Sequence, residues 1–140
     1  MNEEFKSNVK IVNIKIPKLD YKVIPFSITR GGEKIKLADD DTLVMTVCKI
    51  DSDNEVGEKF IFQKKLGNGI EYDEDTGNYN IEINSEDTEN MAVGQNYGYD
   101  ITIFYEQTKP SQKVIGEFKV GEKYSKFSIT EVQEGEADGN

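Results

Sequence analysis

Carboxylates are the side chains of this sequence best suited to chemistry, and they cluster at residues 39–41 and 73–75. Oxygen ligands of this type suit a hard cation such as Ca²⁺. A loop that starts at Asp73 has Gly77 at its fifth position and Asn84 at its twelfth, whereas an EF-hand needs Gly at the sixth and Glu at the twelfth. Acidic side chains in turns commonly cap the local backbone. We therefore predict no metal site and no cofactor.

The other usual catalytic groups are missing or solitary. The chain has no His and a single Cys, Cys48, which excludes His-dependent relays, zinc sites of the His-containing kinds and an intramolecular disulfide. A carboxylate pair can hydrolyse a glycosidic bond only across a cleft of roughly 5–9.5 Å, and short strands joined by tight turns leave little material for a cleft. Cys48 lies in an apolar run, where a lone Cys is most often a small buried hydrophobe. We predict no catalytic residue and no enzyme.

Tyr and Phe, seven of each, are the remaining candidates for a site, as a platform for a carbohydrate or a protein. One set alternates on a shared strand face with Ile101 and Ile103 and is predicted to pack in the core: Tyr97, Tyr99 and Tyr105. Another set lies nearer turns and supplies the better surface candidates: Tyr72, Tyr79 and Tyr124. No segment indicates a pocket for a small-molecule substrate.

The net charge of −10, from 27 acidic and 17 basic side chains, disfavours binding to nucleic acid and to anionic lipid. We expect most of this charge to be solvated, although an acidic surface can also imitate nucleic acid and bind a basic protein. No apolar run approaches the 18 or so residues that span a bilayer. The first residues are acidic and lack the apolar region of a signal peptide. These features predict synthesis in the cytoplasm with neither a membrane span nor export.

The elements that position these residues are strands, because apolar and polar residues alternate along almost the whole chain. Strands are predicted near residues 12–16, 24–28, 42–50, 60–65, 79–83, 97–105 and 114–120. The most apolar run, 42–50, and the longest alternating run, 97–105, are predicted to be central. Pro17 and Pro25 cannot donate to a ladder, which favours an edge, a strand start or a bulge. Gly31-Gly32 predicts a hairpin turn.

The remaining segments are less regular. Residues 85–91 support at most one helical turn, because a capping residue is followed by acidic side chains. Phe127 and Ile129 indicate a further short strand, and the acidic residues 131–140 are predicted to be a disordered tail. Residues 1–11 have the character of an arm that adds a strand to a neighbour's sheet. We favour an ordinary first strand in the protein's own sheet, which terminal strands commonly form.

A single domain follows from this pattern, since about 100–200 residues make one. We divide the chain into residues 1–19, an N-terminal arm or first strand, residues 20–130, a β-sandwich domain, and residues 131–140, the tail. Seven to nine short strands at roughly 8–12-residue spacing predict an all-β, antiparallel sandwich with at most one short helical turn.

The order of several strands and turns along the chain resembles that of a known family. The strand 41–47 is followed by a charged loop, the strand 77–83 and the acidic turn 85–88, and then by 94–101 and 116–120. This order resembles the small immunoglobulin-like β-sandwich domains of bacteriophage and prophage structural proteins, especially the N-terminal domain of upper baseplate proteins and related tail accessory proteins. The resemblance covers about residues 20–120. Its most specific part is Glu86-Asp87-Thr88 combined with Tyr97-x-Tyr99-Asp100 and Gly116-x-Phe118-x-Val120.

The resemblance implies an immunoglobulin-like fold and a non-catalytic assembly role in a phage tail or baseplate, and it carries over no catalytic residues. It further implies a location in the virion, with the bacterial cytoplasm as the site of assembly. Its partners would be other virion proteins and copies of itself in a symmetric assembly. In such proteins a fibre or receptor-binding segment commonly follows the domain, whereas here an acidic tail follows, which leaves the position in the particle open. Two alternatives remain: an acidic inhibitor that mimics nucleic acid and binds a basic host protein, and an exported adhesive or carbohydrate-binding module.

Overall fold

The computed structural model describes residues 9–50 and 56–122 of the 140-residue chain. Tyr124, the strand expected near residues 127–129, the tail 131–140 and the first eight residues lie outside this part. The described residues form strands with one 3-10 turn at Ser85–Thr88 and no α-helix. The strands are β1 (Lys10–Ile11), β2 (Ile14–Pro17), β3 (Lys22–Phe26), β4 (Thr29–Arg30), β5 (Glu33–Lys34), β6 (Thr42–Ile50), β7 (Val56–Leu66), β8 (Gly69–Asp73), β9 (Asn78–Ile83), β10 (Tyr97–Tyr105) and β11 (Lys109–Gly121).

These strands form one curled sheet in the order β1-β11-β10-β6-β7-β8-β9-β3, with β2 also paired to β11 and β4-β5 as a separate hairpin. We call β1, β2, β11, β10, β6 and β7 the larger half and β8, β9 and β3 the smaller half. In the larger half, the order β11-β10-β6-β7 matches strands G-F-C-C′ of an immunoglobulin sandwich. In the smaller half, the order β8-β9-β3 matches strands D-E-B. The predicted all-β sandwich with one short helical turn is thus confirmed. The sheet is mixed rather than purely antiparallel, because β1 and β2 run parallel to β11 and β7 runs parallel to β8.

The core forms where the alternating strands turn one face inward. β6 is a central strand, as predicted, and lies between β10 and β7; its Leu43, Met45 and Val47 are fully buried. Each such side chain contributes about 1.5–3 kcal/mol of burial free energy. Phe118 of β11 packs edge-on against Phe62, with ring centroids 5.7 Å apart, and against Tyr99, with centroids 6.5 Å apart. One apolar cluster joins both halves.

The prolines and the glycine pair lie where the sequence predicted them to be. Pro25 lies in β3, at one end of the strand order, and Pro17 ends β2, which borders β11. Gly31 and Gly32 both have positive φ, at 62° and 85°, and connect β4 to β5. Two consecutive positive φ values are what a type I′ hairpin turn requires. Among the described residues, no helix is long and apolar enough to cross a membrane.

The connection from β9 to β10 is fixed by polar contacts. The Asn84 N–H donates to the Asp87 carboxylate over 2.7 Å. The Leu19 N–H donates to the buried Thr88 hydroxyl over 2.8 Å. At the start of β10, the Ala92 N–H donates to the Tyr97 hydroxyl oxygen over 2.8 Å. A Tyr that bonds backward to the backbone at this corner is a hallmark of immunoglobulin-like sandwiches, the tyrosine corner.

Candidate binding surface

The two carboxylate clusters serve as turn caps. Asp41 accepts hydrogen bonds from the N–H groups of Glu106, at 2.9 Å, and Ala38, at 3.3 Å. Asp73 accepts from the Asp75 N–H at 2.9 Å, and hydrogen bonds from Asp75 and Thr76 lower the Asp73 pKa. Within residues 9–50 and 56–122, no group of three His, Cys, Asp or Glu side chains converges on a metal-sized space.

The tyrosines divide differently from the sequence-based expectation. Tyr97 and Tyr99 are buried and Tyr105 packs against the core, as predicted. The prediction for Tyr79 was wrong: it is 1% exposed, and its hydroxyl accepts from the Leu37 N–H at 2.8 Å. Its inward position on β9, together with the hydrogen bond that satisfies its hydroxyl, outweighs its proximity to a turn. Tyr72 is half-buried, and its ring centroid lies 4.9 Å from that of Tyr79.

Cys48 is half-buried rather than buried. It lies on the outward face of β6 with Val44, Thr46 and Ile50, while Leu43, Met45 and Val47 fill the core. Burial raises the pKa of the Cys48 thiol, and the nearby Asp100 carboxylate raises it further. Since the thiolate is the nucleophilic form, this environment does not activate Cys48. The expectation of a small buried hydrophobe was only partly met, because β6 is apolar on both faces and Cys48 lies on the outward one.

The outward face that holds Cys48 contains an open groove of about 600 Å³ across β6, β10, β11 and β1. Two glycines on neighbouring strands, Gly98 and Gly116, line it together with three isoleucines, Ile11, Ile50 and Ile115. Ile11 is 76% exposed, the largest exposure among the large apolar side chains of the described residues. We call this feature the Ile groove. Its lining is mainly apolar although 31% of the residues in the chain are charged.

A close approach of the backbone requires glycine at position 116 of the Ile groove, whereas Gly98 faces the end of a flexible side chain. A Cβ on Gly98 would lie 2.7 Å from Cδ1 of Ile50, and a Cβ on Gly116 would overlap the Val12 carbonyl oxygen. Gly116 therefore lets the chain between β1 and β2 cross close to β11. The crossing is held by the Val12 N–H, which donates to the Ile115 carbonyl at 2.9 Å, and by the Tyr99 hydroxyl, which donates to the Val12 carbonyl at 2.7 Å. Burial raises the pKa of Tyr99 to about 12.

The charges in the Ile groove have one sign. Asp100 and Glu117 line it, and none of its lining residues is Lys or Arg. Asp100 accepts a hydrogen bond from the Gln112 side-chain amide at 3.1 Å. The Glu117 N–H donates to the Asn13 side-chain oxygen at 3.0 Å, and the Glu117 carboxylate, 57% exposed, lies 3.7 Å from the Lys119 ammonium at the edge of the groove. An apolar groove with an acidic border is suited to binding a partner and has no activated nucleophile.

The sequence contained two signals of the Ile groove. The run 42–50 is mainly apolar at odd-numbered and at even-numbered positions. This predicts a central strand and also an outward face with little charge. Glycine inside a strand commonly marks a close approach of another backbone or a ligand, and Gly98 and Gly116 stand inside two long alternating runs. The proximity of Ile11 to these positions is a consequence of the parallel pairing of β1 with β11.

No family model matches the chain, and no curated protein matches it. Function is therefore inferred from the geometry of the Ile groove and from the motif resemblance.

Proposed function

We propose that this protein is a non-catalytic assembly module whose partner protein covers the Ile groove. The observation that carries the proposal is the apolar lining by Ile11, Ile50 and Ile115 on an outward sheet face of a strongly charged chain. Contiguous exposed apolar surface with a polar border marks interaction sites, and the centres of protein interfaces are depleted of charged residues.

The setting we propose is the virion of a bacteriophage or a phage-derived particle, in its tail or baseplate. Support comes from the motif resemblance, since Asp87 and Tyr97 of its most specific part lie at the corner between β9 and β10. Further support comes from the strand order of the two halves. The partners in this setting are other virion proteins and symmetric copies of the chain.

The test is the protein composition of purified particles. Mass spectrometry is expected to detect the wild-type protein, and Ile11→Lys is expected to remove it from particles because a charge then lies on the contact surface. Val23→Lys is the matched control, since Val23 is also an exposed apolar residue, 45% exposed, but lies on β3 of the smaller half. Absence of the wild-type protein from particles would overturn the proposal.

The alternative function, an acidic inhibitor of a basic host protein, is supported by the net charge alone. Residues 9–50 and 56–122 contain 18 acidic and 14 basic side chains, so the described surface has a modest excess of four negative charges. Lysines also neutralise some carboxylates locally, as Lys36 does with Glu74 at 3.1 Å. Salt-sensitive co-purification with a basic host protein would favour this alternative, because screening weakens contacts between exposed charges.

A further inference from the structure

We propose that the Ile groove binds an extended segment of a partner protein in which an aliphatic side chain and an Arg or Lys side chain lie on the same face, two residues apart. This inference rests on the proposed function and specifies the chemistry of the partner at the same surface.

The aliphatic part of this chemistry follows from the groove lining. Ile115 of β11 and Ile11 of β1 are register partners that line the groove side by side, whereas the end of the Ile50 side chain already lies over Gly98. The volume of about 600 Å³ is in the range of binding pockets that accept several side-chain-sized groups. An aliphatic side chain inserted here would be removed from water at roughly 25 cal/mol per Å² of apolar area.

The cationic part follows from the position of the acids around Ile115. Asp100 is the cross-strand neighbour of Ile115, and Glu117 is two residues further along β11 on the same face. Residues two apart on a strand lie about 6.6–6.8 Å apart on one face, twice the strand rise. An aliphatic residue and an Arg two positions apart in an extended segment therefore match the spacing from Ile115 to Glu117.

The two carboxylates are open to such a cation. Asp100 is bonded by the neutral amide of Gln112. Glu117 lies 3.7 Å from the Lys119 ammonium in a pair whose side chains are both more than half exposed, and exposed pairs of this kind contribute little. A guanidinium could donate charge-assisted hydrogen bonds to either carboxylate, and these are about twice as strong as neutral ones.

A second copy of the chain is the other occupant that an apolar sheet face would suit. The Ile groove offers no cation to a second copy, and two chains of net charge −10 repel each other. The acidic lining instead attracts a basic segment, and the charge of the whole chain steers it toward the surface.

The test is an NMR titration of the ¹⁵N-labelled full chain with the peptide acetyl-Leu-Ser-Arg-Ser-Leu-amide, in which Leu and Arg share one face of an extended strand. The backbone amides of Gly98 and Gly116 report directly on the Ile groove. We expect saturable shifts of these two amides and about tenfold weaker binding of the twin peptide with Glu in place of Arg. The same spectra show whether each variant is folded.

Two charge-reversal variants test whether the preference for the Arg peptide depends on the acidic residues of the Ile groove. Asp100→Lys is expected to abolish the preference for the Arg peptide, while Glu71→Lys, the same charge change on β8 of the smaller half, is expected to keep it. Equal binding of the Arg and Glu peptides, no shift of either glycine amide at millimolar peptide, or a micromolar dimer that buries Ile11 would each overturn this inference. Equal peptide binding would leave the proposed assembly role standing, whereas absence of the protein from particles would overturn the role but leave the peptide result.

Discussion

The ammonium nitrogen of Lys64 lies 2.7 Å from a carboxylate oxygen of Asp87, and the two side chains are only 9% and 13% exposed. Lys64 is on the inward face of β7, and Asp87 is in the 3-10 turn that leads to β10. The same carboxylate oxygen accepts the Asn84 N–H. One ion pair therefore ties a strand of the larger half to the corner between β9 and β10.

Removing the negative charge of Asp87 from this ion pair should lower the free energy of unfolding. Asp87→Asn leaves the Lys64 ammonium nearly buried without a counter-charge, and loss of one partner of a buried pair costs about 3–5 kcal/mol. Urea unfolding of the variant measures this loss. Glu106→Gln is the matched control, because Glu106 and Lys109 form a pair at 3.2 Å with 62% and 67% of their side chains exposed, and exposed pairs are worth at most about 1 kcal/mol. Equal losses for the two variants would contradict the structural role of the Lys64–Asp87 pair.

Adding one methyl group at Gly116 should destabilise the first strand. In Gly116→Ala the new Cβ overlaps the Val12 carbonyl oxygen, which is backbone and cannot rotate away. We expect a loss of about 1–3 kcal/mol in the free energy of unfolding, as for other overpacked sites. Gly121→Ala on the same strand is the control, since its Cβ meets the flexible end of the Lys15 side chain at 3.2 Å and the Ile16 carbonyl oxygen at an ordinary contact distance of 3.9 Å. A Gly116→Ala protein as stable as Gly121→Ala would show that the link between β1 and β2 does not pack tightly against Gly116.

Alkaline pH should weaken the fold through Tyr99. Its pKa rises from the ordinary 10.0 to about 12 in the folded protein because the phenol is buried. The folded state thus holds the proton more tightly than the unfolded state, so this stabilisation is complete below pH 10 and is lost as the pH rises from about 10 to 12. Urea midpoints between about pH 9 and 11 measure the slope. Tyr99→Phe should reduce the slope and cost about 1 kcal/mol at neutral pH through the lost bond to Val12. An unchanged slope in Tyr99→Phe would assign the alkaline loss to other groups.

The single Cys allows the electrostatic potential in the Ile groove to be measured from the rates at which charged reagents modify it. A cationic trimethylammonium methanethiosulfonate should modify Cys48 faster than the anionic sulfonate analogue, because Asp100 and Glu117 concentrate cations in the groove. The rate ratio should fall with added salt. Asp100→Asn should lower the ratio, since Glu117 alone then remains in the groove, whereas Glu71→Gln on the smaller half should leave it unchanged. A ratio near one in the wild-type protein would mean that the groove has no acidic field.

The sequence by itself determined the long strands, because their signals are local, although the strand β8 was not among those predicted. The most apolar run identifies β6 and the longest alternation identifies β10 as central strands, and the prolines are compatible with the edge position of β3 and the end of β2. The Asn84–Thr88 segment likewise contains the acidic and capping residues of its own 3-10 turn. These features depend on neighbours within a few positions of the chain, so one sequence is sufficient to predict them.

The tertiary structure alone decided which face of β6 met the core and what lay beside it. A two-residue period separates Val47 from Cys48 but does not say which of them points inward, and both faces of this strand are apolar. The Ile groove needs β1, β11, β10 and β6 side by side, although Ile11 and Ile115 are about a hundred residues apart in the sequence. The same long-range packing buried Tyr79 and paired Lys64 with Asp87. Contacts of this kind follow from the pairing of distant strands, which local patterns do not encode.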